Sequence, residues 1–264
     1  MNTIPIYQID AFTDRLFGGN PAAVCPLDAW LEDELLLSVA KENNLAETAF
    51  FVPVGKEFHL RWFTPEIEMD LCGHATLATA HVLFRHFNYP GNEIVFSSHS
   101  GRLVIRRNGD LLEMVFPSRP PAPAKLPSVI EEGIGKKPEA VLKARDYLLV
   151  YASEQDILDM QPNRALLDTI NLDPGGIIVT APGKEADFVS RFFTPQASIF
   201  EDPVTGSAHC SLIPYWAERL GKVQLKAHQL STRKGVLFCE LLDEQVLISG
   251  KAITYLEGKI IIKN

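Results

Sequence analysis

The chain has 264 residues, 46% hydrophobic and 22% charged, with a formal net charge of −8 at pH 7. This is an ordinary folded composition, long enough for one large core or two of usual domain size, and its acidity argues against a nucleic-acid surface. No apolar run approaches the ~20 residues of a membrane helix, and the four cysteines (Cys25, Cys72, Cys210, Cys239) show no Cys-x-x-Cys spacing, which points to a reducing compartment and no zinc site.

The stretch up to Ala11 has no basic region followed by an apolar one, so a cytoplasmic location is expected. Ile4–Phe12 alternates as a strand, Gly18-Gly19-Asn20-Pro21 is a turn, and Ala22–Cys25 is a second strand. Asp28 is read as the N-cap of a helix running to about Asn43, with Leu31, Leu35, Leu36 and Val39 as its apolar face. Glu47–Val52 and Phe58–Phe63 are strands. His74–Phe87 is apolar nearly all round and is expected to be a buried helix. Strands follow at Ile94–Phe96, Leu103–Arg106 and Leu111–Phe116, and the proline-rich Ser118–Pro127 reads as a linker.

Beyond the linker, Leu142–Tyr151 is a strand region, and Ser153 to Asp156 resembles a helix start. The stretch from Asp168 to Asp173 lacks a calcium-loop pattern. Strands at Gly176–Thr180 and Ala186–Phe193 precede a second central helix, Ser207–Leu220, kinked at Pro214 and capped by Gly221. Leu225–Leu230, Val236–Leu242, Val246–Ile253 and Lys259–Ile262 complete the strands. Many strands around two buried helices give an α+β class without alternating βαβ units.

One segment occurs twice. Phe58 to Pro65 (Phe-His-Leu-Arg-Trp-Phe-Thr-Pro) returns 130 positions later as Phe188 to Pro195 (Phe-Val-Ser-Arg-Phe-Phe-Thr-Pro). Gly-Lys-Glu precedes both copies, at Gly55–Glu57 and Gly183–Glu185, and both lead to a glycine that opens a central helix, Gly73 and Gly206. The period is too long for a solenoid. It implies duplication of a whole domain, as 1–118 and 119–264, each half many strands around one buried helix.

A helix start presents unpaired N–H groups and positive potential. Two related starts facing one cleft would hold a carboxylate or enolate without a metal. The plainer reading makes Gly73 and Gly206 mere tight turns. Departures from the repeat carry more information. With the Gly-Lys-Glu copies matched, Glu47 aligns with Gly175; at the helix starts His74 aligns with Ser207 and Cys72 with Thr205, while Asp202 lies in the three-residue insertion of the second loop. A carboxylate in one half only points to a single general base. The plainer alternatives are a strand-edge carboxylate for Glu47, a helix cap for His74 and a turn at Asp202-Pro203.

At these residues the chain resembles the PhzF-like isomerase family of phenazine biosynthesis. The resemblance rests on Asp10-Ala11-Phe12-Thr13, Gly19-Asn20-Pro21-Ala22-Ala23-Val24, Leu45-Ala46-Glu47-Thr48-Ala49-Phe50, Arg61-Trp62-Phe63-Thr64-Pro65, Leu71-Cys72-Gly73-His74-Ala75-Thr76 and Glu201-Asp202-Pro203-Val204-Thr205-Gly206-Ser207-Ala208. Pro214-Tyr215-Trp216-Ala217 and Gln229-Leu230-Ser231 with Arg233 add to it. It implies a diaminopimelate-epimerase-like fold, two pseudo-symmetric domains each a β-barrel-like sheet wrapped around its central α-helix, and cofactor-free, metal-free proton transfer. The family's best-understood substrate is a dihydro-hydroxyanthranilate. The resemblance implies Glu47, His74 and Asp202 as catalytic residues, with Asn20, Gly73, Gly206 and Ser207 holding the substrate. The expected partner is a small carboxylic acid, cyclic or unsaturated; no nucleic acid or membrane is expected, and a homodimer is left open.

Related epimerases carry a cysteine at each helix start. Here Thr205 replaces the second, which disfavours a two-thiol racemase. Lys234 stands where a second glycine often follows the Arg233 position. Two other readings stand beside the Glu47 isomerase: a racemase using Cys72, and a binding module without turnover.

Overall fold

A computed structural model describes residues 2–172 and 175–262, so Asp173 lies outside the described residues. The elements run in the order β1 (Asn2–Ala11), β2 (Asn20–Pro26), α1 (Asp33–Asn43), β3 (Glu47–Val54), β4 (Glu57–Phe63), β5 (Glu68–Met69) and α2 (Gly73–Arg85). There follow β6 (Glu93–Ser98), β7 (Gly101–Asn108), β8 (Leu111–Pro117), β9 (Ala122–Pro123), α3 (Ser128–Ile134), β10 (Ala140–Lys143), β11 (Tyr147–Val150), α4 (Glu154–Leu158) and α5 (Arg164–Leu167). The chain closes with β12 (Ile177–Pro182), β13 (Phe188–Phe193), α6 (Gly206–Leu220), β14 (Gln224–Gln229), β15 (Gly235–Leu242), β16 (Gln245–Gly250) and β17 (Ala252–Ile262). The fold is mixed α and β, with much strand and few helices. Among the described residues no helix is long and apolar enough to cross a membrane.

The chain forms two compact units. One comprises the residues up to Val115 together with those from Ser249 onward; the other is Phe116–Ile248. The last strand therefore belongs with the first unit, where the sequence placed it in the second. β17 pairs antiparallel with β1 from Asn2↔Ile262 to Ala11↔Ala252, with a bulge at Gln8/Ile9. The β-branched residues Thr3, Ile4, Ile6 and Ile9 of β1 and Ile253, Thr254, Ile260, Ile261 and Ile262 of β17 suit that ladder.

In the first unit β2 runs parallel to β3 (Ala22↔Glu47), β3 antiparallel to β4 (Thr48↔Phe63), and β4 parallel to β6 (Phe58↔Phe96). In the second, β11 runs parallel to β12 (Tyr147↔Ile177), β12 antiparallel to β13 (Ile177↔Phe193), and β13 parallel to β14 (Phe188↔Ala227). Both central helices are thus crossovers between parallel strands, α2 from β4 to β6 and α6 from β13 to β14. A parallel pair needs a connection of a dozen or more residues. The expectation of no βαβ unit is corrected here, and also at β2–α1–β3 and at β11 to β12 through α4 and α5.

α2 buries His74 to Ala80 and Val82 to Phe84, so its lack of a polar face is explained by enclosure. α1 begins later than expected, at Asp33 after Glu32 rather than after Asp28. Trp30 donates Nε1–H to His59 Nδ1 (3.1 Å), and the Arg61 guanidinium lies 5.1 Å from its ring centre. Docked on β4 in this way, residues before Glu32 stay non-helical. Lys234 adopts φ 58°, a left-handed conformation that costs a non-glycine residue about 1 kcal/mol.

Candidate active site

The repeated segment forms β4 in one unit and β13 in the other, and its arginine does the same job twice. Arg61 grips Glu68 through Nε (2.7 Å) and Nη2 (2.6 Å). Arg191 grips Glu201 through Nε (2.7 Å) and Nη2 (2.9 Å). Each two-pronged contact fixes the loop between strand and central helix. The motif that first drew attention is therefore a brace for a helix start.

At the α2 start, Glu47 is the first residue of β3 and His74 the second of α2. Their side chains are 15% and 5% exposed, and His74 Nε2 lies 3.1 Å from Glu47 Oε2. The approach is close, though its angle falls short of a well-aligned hydrogen bond. Asn20, the first residue of β2 and fully buried, donates Nδ2–H to His74 Nδ1 at 3.2 Å. Cys72 Sγ lies 3.5 Å from the same nitrogen. Turned over, the Asn20 amide would instead accept from a protonated Nδ1, so it suits either ring state.

Burial opposes a charged His74, but the Cys72 sulfur and the Glu47 carboxylate beside it outweigh that and hold the imidazole pKa well above its usual value. Burial, then the Glu47 charge, pushes the Cys72 thiol up.

Glu47, Cys72 and His74 bring three ligand-type atoms within 4.8 Å of one another. The ring, however, meets sulfur at Nδ1 and carboxylate at Nε2. A single ion would take one side of the ring or the other.

At the α6 start, Thr205 Oγ1 donates to Asp202 Oδ2 (2.5 Å). Fully buried Gln229 accepts the Thr205 N–H at Oε1 (2.9 Å) and donates Nε2–H to the Asp202 carbonyl (2.8 Å) and Thr205 Oγ1 (3.1 Å). Ser207, second in α6, accepts from Arg145 Nη2 at 3.0 Å. Arg145 also contacts the buried carboxylate of Asp146 (3.1 Å), which accepts the Gly176 N–H at 2.9 Å. Neither helix start has a side-chain cap or an acidic residue in its first turn among the described residues. Both leave N–H groups of Gly73, His74, Gly206 and Ser207 for a ligand.

Two points differ from the sequence reading. With Phe63 matched to Phe193, the strand registers set Glu47 against Gly176, not Gly175. A Cβ on Gly176 would lie 2.5 Å from Phe192 Cζ and 2.7 Å from the Phe193 carbonyl, so no side chain fits. Arg145 and Asp146 were not singled out. Their signal was a charged pair inside an apparent strand, which marks the turn between β10 and β11.

A helix start beside a paired carboxylate and imidazole is equipped to move a proton. The family description "Phenazine biosynthesis-like protein" matches residues 9–258. An uncharacterized isomerase of Pseudomonas aeruginosa is 51% identical over 257 residues, covering 97% of this chain and 98% of its own. The crystal structure of a phenazine biosynthesis protein of the PhzF family from Enterococcus faecalis superposes with a TM-score of 0.95 at 42% identity, covering 99% of this chain and all of its own (100%). A hydroxyproline epimerase from Agrobacterium vitis shares the fold alone, with a TM-score of 0.62 at 9% identity over 98% of this chain and 92% of its own. The protein is an isomerase, and it belongs to the phenazine biosynthesis-like (PhzF) family.

Proposed function

We propose that the protein shifts a double bond in a small unsaturated or cyclic carboxylic acid by cofactor-independent proton transfer, with Glu47 as general base and acid. The observation that carries this is the Glu47 carboxylate 3.1 Å from His74 Nε2, beside a helix start with no acid of its own. Glu47 takes a proton from carbon beside the substrate's carbonyl or carboxylate. The C–H electron pair forms the new double bond, and the old double bond's electrons move to the far carbon. Glu47 returns the proton there, so nothing is oxidised and no group leaves. Positive potential at the α2 start stabilises the charge that builds on substrate oxygen. His74 steadies the carboxylate and shares its proton. For Asp202, Gly206 and Ser207 the proposal is the role that the resemblance implies, holding polar groups of a substrate at the α6 start.

The same reading takes the two units as duplicated halves, each a sheet around one helix. The doubled Arg–Glu brace and the matching strand order support it. A Cys72 racemase is less favoured, because burial and Glu47 keep that thiol protonated.

Glu47→Gln tests the proposal. It keeps shape and removes basicity, so turnover should fall about 10²–10⁴-fold, with ligand binding retained. Solvent-deuterium incorporation into candidate unsaturated carboxylic acids reads the step directly. Exchange by the variant at the parental rate would exclude Glu47 as the base, and a protein that binds such acids without any exchange would be a binding module.

A further inference from the structure

Three buried polar atoms in the Phe116–Ile248 unit have no hydrogen-bond partner among the described residues, and they sit on two segments that a backbone hydrogen bond joins: Ser118 Oγ, Arg119 Nη1 and Ser211 Oγ. Pro214 explains how they come together. It stands inside α6 and has no N–H, so the Cys210 carbonyl loses its helical donor. The Arg119 N–H takes that carbonyl instead, at 2.9 Å. Ser118 and Arg119 are thereby fastened beside Cys210 and Ser211. Ser207, Cys210 and Ser211 are spaced i, i+3 and i+4 and share one helix face. Ser211 is 1% exposed yet does not make the usual serine bond to the carbonyl one turn back.

Charge on this face is unbalanced. Arg145 reaches Ser207 at 3.0 Å, and both Arg119 and Arg145 draw the Cys210 thiol down against burial, which pushes it up to about 11. Asp146 answers Arg145 and is already occupied by the Gly176 N–H. Among the described residues no carboxylate pairs with Arg119. A water would satisfy the enclosed N–H and hydroxyl groups, but it would not offset a partly buried cation.

We propose that the Ser207–Cys210–Ser211 face of α6, with Ser118, Arg119 and Arg145, binds a small anion, a carboxylate or a comparable monovalent ion. Free anion and substrate carboxylate share this chemistry. The site is independent of the role given to Glu47, because no readout below uses turnover. In low-anion buffer, sodium bromide should raise the melting temperature of the full-length protein saturably, and Arg119→Gln should lose that response. Crystals of the wild type grown in bromide should show an anomalous peak within contact distance of Arg119 Nη1. Displacement of the peak by benzoate would mark a site that takes a substrate-like carboxylate; a peak that persists in benzoate would mark one that holds a free anion. An ordered water without anomalous signal, or an Arg119→Gln variant with the parental bromide response, would overturn the proposal. If that variant fails to fold, the anomalous map alone decides.

Discussion

Gln229 is the side chain on which the α6 start depends most, and Gln229→Leu measures it. The change keeps bulk and removes three hydrogen bonds at 2.8–3.1 Å. Thr205, 6% exposed, keeps a buried N–H with no acceptor, at a cost of about 1–3 kcal/mol. The Asp202 carbonyl is nearer solvent and loses less. The sum is about 2–4 kcal/mol, and at ~2–4 °C per kcal/mol for a chain of this size the melting temperature should drop by roughly 5–15 °C. Gln224→Leu is the control: it lies exposed on the same strand and should stay within about 0.5 kcal/mol of the parent. Urea unfolding of both variants gives the difference, and hydrogen exchange of the Thr205 amide locates it. The reasoning fails if Gln229→Leu is as stable as Gln224→Leu, or if the Thr205 amide stays as protected as in the parent.

Two further outcomes are expected. His209 is fully buried and shares a hydrogen bond with the Thr205 carbonyl (2.8 Å), and burial lowers its pKa to about 4. The unfolded chain protonates first, so stability present above about pH 6.5 is lost as pH falls toward 4, by up to about 3 kcal/mol; His209→Asn should flatten that part of the acid-unfolding curve, and an unchanged slope would refute the assignment. Cys72→Ala should retain most turnover, and unmodified Cys72 should react slowly with iodoacetamide because its thiol is buried and protonated; complete loss of activity in a folded variant would restore the thiol mechanism.

Much of this was legible in the residues, because local chemistry and burial pointed the same way. The all-apolar face of α2, the Ser153–Asp156 capping box and the Gly221 cap of α6 carry their own signals and form as expected. What escaped depended on contacts between distant residues. Arg61 and Arg191 are obvious repeats, yet their glutamates lie 7 and 10 residues away, so no common spacing reveals the brace. The one-residue error at Glu47 arose because Gly-Lys-Glu occupies turns of different length, Gly55–Lys56 against 183–187. Loops absorb insertions that strand ladders do not. Of the site, Glu47 and His74 are adjacent as their pattern implied, whereas Asn20, expected on the substrate, spends its amide on His74. Arg145 was hidden in an apparent strand that is in fact a hairpin.

Gly176 turns the divergence of the two sequence copies into a ratchet. Its N–H is tied to Asp146, and the space where a side chain would begin is taken by Phe192 and the β13 backbone. A codon change to glutamate there could not be selected by degrees, since even a methyl group is refused before any carboxylate can act. Descendants of this chain can lose the carboxylate of Glu47 in one mutation but cannot transfer it to the other copy. A carboxylate in the second copy therefore requires Phe192 and the Phe193 backbone to move before it can do any chemistry.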